Sequence, residues 1–177
     1  MTTTINADNG VSSGSAGLKS SADSSGVLAL QSSGSTAFTV NTDLTTVFST
    51  SMRESVTVSA TAMNTSLNFD AITQSILYYT TNATANSSIN FRGNSSTTLN
   101  TMMSTGQSLS VVFMNTNGST AYYLNAFTID GTSVTPKWQG GSAPTSGNAS
   151  AIDAYVFTII KTASATYTVL ASQTKFS

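Results

Sequence analysis

The chain of 177 residues is long enough to bury a real core in one domain, with room for an appendage, and its net charge is only −1. It contains no Cys and no His, which excludes disulfide staples and thiolate metal sites and removes the usual general base, the commonest metal ligand and the middle member of a hydrolase triad. The six cations, Lys19, Arg53, Arg92, Lys137, Lys161 and Lys175, are scattered singly, so no basic patch meets a phosphate backbone and no nucleic-acid partner is expected.

Charged residues make up 7% of the chain, against ~25% in ordinary globular proteins, so solubility falls to hydroxyls and amides. Ser and Asn favour turns over helix interiors, because their short polar side chains compete for backbone hydrogen bonds, and Thr favours strands. An all-β protein with many short connections follows. Residues 1–26 are polar, with isolated Ile5, Val11 and Leu18. They lack the apolar stretch of a signal peptide, and no run approaches the ~20 apolar residues of a membrane span. Synthesis in a cytoplasm without membrane insertion is therefore expected. Taken alone, this segment buries too little to offset its ordering entropy. It reads either as a flexible tail or as an arm lying along another subunit.

The alternating runs 27–31 and 36–41 flank Ser32-Ser33-Gly34-Ser35 and read as a β-hairpin, with 45–48 as a short continuation. An isolated hairpin is marginal in water. This one must dock on something, which makes Val27, Leu28, Leu30, Phe38 and Val40 candidate attachment or oligomer-interface residues. The pattern over residues 24–42, Ser-Ser-Gly-Val-Leu-Ala-Leu-Gln-Ser-Ser-Gly-Ser-Thr-Ala-Phe-Thr-Val-Asn-Thr, resembles the N-terminal module of many tailed-bacteriophage fibre and virion structural proteins, especially of marine phages. The resemblance implies a segment that attaches a distal domain to the particle or starts a trimer.

A good short strand follows at 55–59, led by Arg53 and Glu54, and further runs lie at 66–69, 71–80 and 88–92. In Ile76-Leu77-Tyr78-Tyr79 both faces are apolar, as in a central strand covered on each side. Leu99, Met102 and Met103 have near-helical spacing before Gly106, consistent with a single helical turn. Four β-rich runs, 109–114, 121–129, 151–160 and 166–170, close the chain. They are separated by turn signals at Asn117-Gly118 and Asp130-Gly131 and by a Gly- and Pro-bearing loop over 140–150. In 151–160, Tyr155, Phe157 and Ile159 point one way and Ile152, Val156 and Ile160 the other, a period of two. The expected organisation is residues 1–50 as an extended arm and hairpin, and 51–177 as a β-sandwich, jelly-roll-like in strand number and spacing.

The C-terminal block carries a second resemblance, on Tyr79-Thr80-Thr81-Asn82-Ala83-Thr84-Ala85-Asn86, Asn90-Phe91-Arg92-Gly93, Gly106-Gln107-Ser108, Pro136-Lys137-Trp138-Gln139-Gly140-Gly141 and Ala171-Ser172-Gln173-Thr174-Lys175-Phe176. These segments look like a domain recurring in virion structural proteins of T4-like and related cyanophages. The resemblance implies a part of a virion released by lysis: a homotrimeric surface appendage (tail fibre, head fibre or capsid decoration) contacting other virion proteins and the host surface. It carries over no catalytic residues and no cofactor.

The carboxylates most worth weighing for catalysis are Asp130 and Asp153, because two carboxylates run glycoside hydrolysis without His. Asp130, however, stands in an Asp-Gly turn, where Asp is favoured for its backbone hydrogen bond and tolerance of positive φ. Asp153 opens a strand as a single polar residue awaiting a lysine or amide partner. Trp138, in a Gly-rich loop, either caps the sandwich core, makes a subunit contact or stacks on a sugar, and Tyr79 and Tyr123 are further candidate glycan contacts. A non-enzymatic structural role leads. The alternative is a carbohydrate-binding or depolymerase domain acting on host-surface glycans.

Overall fold

The computed structural model describes residues 27–32 and 34–177; the expectation for residues 1–26 lies outside them. The chain divides into two compact units, Met1–Arg53 and Glu54–Ser177. Both are built of strands, and the protein is all-β. No helix among the described residues is long and apolar enough to cross a membrane.

The first unit holds β1 (Leu28–Ser32), β2 (Ser35–Val40) and β3 (Thr46–Phe48) in one antiparallel sheet in chain order. Gly34 takes φ 76° in the tight turn between β1 and β2, a conformation that costs a glycine nothing. Leu28 pairs with Val40, Leu30 with Phe38, and Phe38 with Phe48, so these five side chains share one face of the sheet.

The second unit begins as a winding. β4 (Val56–Ala62), β6 (Ile76–Thr81) and β8 (Ser108–Thr116) run parallel in one sheet, and β5 (Ser66–Asp70), β7 (Ser87–Arg92) and β9 (Leu124–Ile129) run parallel in the other. The chain alternates between the two sheets, each strand laying itself beside the strand two before it. The second winding is longer because it carries α1 (Leu99–Met102), a single helical turn. β10 (Thr132–Ser133) then extends the four-stranded sheet, while β12 (Ile152–Ala163), β13 (Thr166–Phe176) and β11 (Lys137–Trp138) complete a six-stranded one in the order β11-β13-β12-β8-β6-β4. A jelly roll is made of antiparallel Greek keys. Here five strand pairs are parallel, β11–β13 among them, and the long antiparallel hairpin β12–β13 is added to the end of a winding.

The two sheets face each other across one core. Phe69, Ile89, Phe91, Leu124 and Ile129 come from the smaller sheet, and Leu77, Val111, Phe113, Tyr155, Phe157, Ile159 and Val169 from the larger. Phe91 meets Phe157 edge-on at 4.9 Å between ring centroids, which joins the sheets at their centre. Tyr155, Phe157 and Ile159 are fully buried, whereas Val156 on the opposite face of β12 is 42% exposed.

Strand ends differ from the sequence pattern in several places, and in the expected run 71–80 residues 71–75 form a turn, so that β6 begins only at Ile76. β13 runs on through Gln173, Thr174 and Lys175 because β12 supplies partners along its whole length, a non-local gain that outweighs the polar composition. Residues 121–123 are not strand. Asn117 takes both backbone groups of Tyr122, accepting from its N–H at 3.1 Å and donating to its carbonyl at 3.0 Å, and so holds this stretch as a loop. β6 also departs from expectation: Leu77 is buried and Tyr79 packs on Phe113, while Ile76 and Tyr78 stand half-buried on the outer face.

Candidate interaction surfaces

The five candidate attachment residues lie together at the start of the described chain. Leu28, Leu30, Phe38 and Val40 are joined by Phe48 on one sheet face, and Phe38 and Phe48 meet edge-on at 5.1 Å. Val27 and Leu28 are exposed, Leu30 is 44% exposed and Phe48 52%, while Phe38 and Val40 are half-buried. Phe48 was not among the expected interface residues. Its pairing with Phe38 depends on the Asn41–Thr45 turn, where Leu44 takes φ 65° and Asp43 accepts from the backbone and hydroxyl of Thr45. Those hydrogen bonds hold the Asp43 carboxyl below its ordinary pKa.

The three candidate glycan contacts all pack against the core of the second unit. Trp138 meets Phe127 at 5.5 Å and Phe157 at 6.3 Å, both edge-on, and so closes the β11 side of the core. Tyr79 lies against Phe113 at 6.0 Å, and burial raises its hydroxyl pKa. The Tyr123 backbone N–H donates to Asn86 Oδ1. Trp138 and Tyr79 belong to opposite sides of the six-stranded sheet, with β13, β12 and β8 between their strands, and no shared sugar platform results.

The two weighed carboxylates are also kept apart. Asp130, at φ 51°, accepts from the backbone N–H of Leu99 at 2.7 Å and of Asn100 at 2.9 Å. Its oxygens therefore satisfy the first orphan donors of α1, a role supported at the next positions by Thr98. Asp153 is fully buried at the other end of β12. It accepts from Asn117 Nδ2 at 3.0 Å and from the Asn148 backbone and side chain at 3.0 and 2.6 Å. Lys161, whose Nζ donates to the carbonyls of Asn100 and Met103, marks the Asp130 end of the same strand. At ~3.3 Å per residue, Asp153 and Lys161 stand roughly 26 Å apart along β12. Two carboxylates so separated cannot flank one glycosidic bond.

A polar cleft of about 330 Å³ opens beside α1, lined by Asn90, Arg92, Asn94, Asp130 and the hydroxyls of residues 95–98. Its charged groups are engaged internally: Arg92 Nε donates to Asp70 at 2.6 Å, and Asp130 is held as described. The cleft offers amides and hydroxyls but no aromatic ring. Among the described residues, no three His, Cys, Asp or Glu side chains gather as a metal-binding group.

No family model, curated protein or solved structure matches this chain.

Proposed function

We propose that this protein is a non-enzymatic structural component of a tailed-phage virion, a homotrimeric surface appendage anchored through its N-terminal segment and displaying the second unit outward. The reading rests on the resemblances over residues 24–42 and 79–176. The observation that supports it best is the first unit itself: three short strands with Leu28, Leu30, Phe38, Val40 and Phe48 on one face, several of them exposed. A sheet of this size reaches stability by covering that face, which suits a segment gripped by neighbours in a particle. The second unit has its own aromatic core and holds its buried Asp153 and Lys161 in internal hydrogen bonds, which suits a durable building block. The low charge lets subunits pack closely without desolvating ions.

Deleting residues 1–41 tests the reading. The truncated protein is expected to stay soluble, with the near-ultraviolet circular dichroism of an intact aromatic core, and to be missing from particles purified after infection. Normal incorporation of the truncated chain would refute an anchoring role for this segment.

A further inference from the structure

The six-stranded sheet has a second face, turned away from the core. Because β6 points Leu77 inward, the register places Val56 and Val58 of β4 outside, beside Ile76 and Tyr78 of β6. Val112 and Met114 of β8, then Ala154 and Val156 of β12, continue the same rows. Leu170 and Phe176 of β13 stand on this face too, paired with Thr158 and Ile152. Of the large hydrophobic side chains exposed in the second unit, Val56, Val58, Val156, Leu170 and Phe176 all lie here, and Ile72, in a turn, is the exception. The remaining outward positions of these strands are Ala, Ile, Ser and Thr, and the one charge is Lys137 on the edge strand β11.

We infer that this face is where copies of the chain meet. The inference deepens the homo-oligomer part of the proposed function by assigning it a surface. Strands lie about 4.8 Å apart; β8, β12 and β13 carry the full length of about 26 Å from Ile152 to Ile160, while β4, β6 and β11 cover part of it, so the face covers on the order of 400 Å² in projection. Its accessible area is larger, because side chains stand above the sheet, and it approaches the ~800 Å² that each partner contributes to a stable interface. Its apolar part is contiguous in two adjacent rows that cross four strands, Val56–Ile76–Val112–Val156 and Val58–Tyr78–Met114–Ala154. The chemistry favours a second copy over a partner selected by charge. A face with one rim lysine and no carboxylate offers nothing for electrostatic recognition, yet it brings no like-charge repulsion when it meets itself. In a trimer the same face of each copy turns toward the three-fold axis, where flat rows of Val, Ile and Thr pack against those of the two neighbours. A depression of about 370 Å³ between Val156, Thr158, Leu170 and Ser172 gives a partner side chain a place to seat.

Sedimentation equilibrium of the full chain tests this, with Val156→Asp and Val58→Asp as variants. Both side chains already meet solvent in the isolated chain, and Val58, 62% exposed on the edge strand, keeps the test valid if Val156→Asp fails to fold. Circular dichroism verifies folding. Asn68→Asp, on an exposed position of β5 in the other sheet, is the control. The wild type and the control are expected to form the same oligomer, and each Val→Asp variant to weaken it by at least ~30-fold, the scale of an interface hot spot. An oligomer indifferent to both folded variants overturns this surface while leaving the oligomeric reading standing. A monomeric wild type overturns both.

Discussion

Asp130 and Lys161 hold opposite ends of the same helical turn. The carboxylate of Asp130 accepts from the N–H groups of Leu99 and Asn100, while Lys161 Nζ donates to the carbonyls of Asn100 and Met103 at 2.6 and 2.8 Å. An anion at the N-terminal end and a cation at the C-terminal end match the partial charges of the backbone there. Four residues are far too few for a helix to persist by itself, so α1 exists because two remote segments clamp it. Lys161→Met should cost about 2–3 kcal/mol, by leaving buried carbonyls without donors, and Asp130→Ala about 1–2 kcal/mol, by uncapping the turn. Urea denaturation gives both values; near-neutral results for both would contradict the clamp.

At the far end of β12, Asp153 is the acceptor for three N–H groups from Asn117 and Asn148. Asp153→Ala should destabilise by about 3 kcal/mol or more, because buried donors lose their acceptor together. Asp153→Asn, which keeps the shape but turns one acceptor into a donor, should fall between the two. Equal denaturation midpoints for Asp153→Ala and wild type would show that this cage contributes nothing.

Gly147 lies under the same network. A Cβ there would lie inside contact distance of the Tyr122 carbonyl and 2.9 Å from Asn117 Nδ2. Gly147→Ala should therefore cost roughly 1–3 kcal/mol as an overpacking substitution, seen as a lower Tm in calorimetry. An unchanged Tm would mean that the 140–150 loop gives way freely.

Tyr155 makes stability sensitive to alkali. Burial, with a smaller contribution from the nearby Asp153 charge, pushes its hydroxyl well above the ordinary tyrosine value, although its acceptance of the Leu124 N–H opposes the shift. In the unfolded chain the group ionises near pH 10. Above that pH the unfolded state loses a proton that the folded state keeps, so the stability this group contributes is fully present below about pH 10 and lost as pH rises beyond it. Tyr155→Phe should shallow the fall of the urea midpoint between about pH 9.5 and 11. A slope identical to wild type would assign the alkaline sensitivity to other groups.

Phe157 is the hub of the aromatic core, touching Phe91, Phe127, Trp138 and Tyr155. Phe157→Ala should cost about 3–5 kcal/mol, measured by the same denaturation. A loss under ~1 kcal/mol would be incompatible with its position between the sheets.

Much of this molecule is local and therefore legible in one dimension. The polar, charge-poor composition excludes long helices, the period-two runs place most strands, and Ser-Gly, Asn-Gly and Asp-Gly signals mark turns, because each depends on side chains within a few residues of one another. The inward set Tyr155, Phe157 and Ile159 follows directly from alternation along one strand. What alternation cannot encode is which strand lies beside which. Parallel neighbours are brought together by windings of the chain through the other sheet, so a jelly-roll count of strands and the observed winding look alike in sequence. That Asp130 is a positive-φ turn residue bonding to backbone, and that Asp153 takes an amide partner, follows from their local sequence, but that Asp130 and Lys161 clamp α1 from remote segments does not. The outward row from Val56 to Val156 likewise exists only once β4, β6, β8 and β12 are laid side by side. Sequence determined the strands and their faces, which short-range sterics and burial dictate, and tertiary structure decided their neighbours, because pairing over long separations depends on the whole core closing at once.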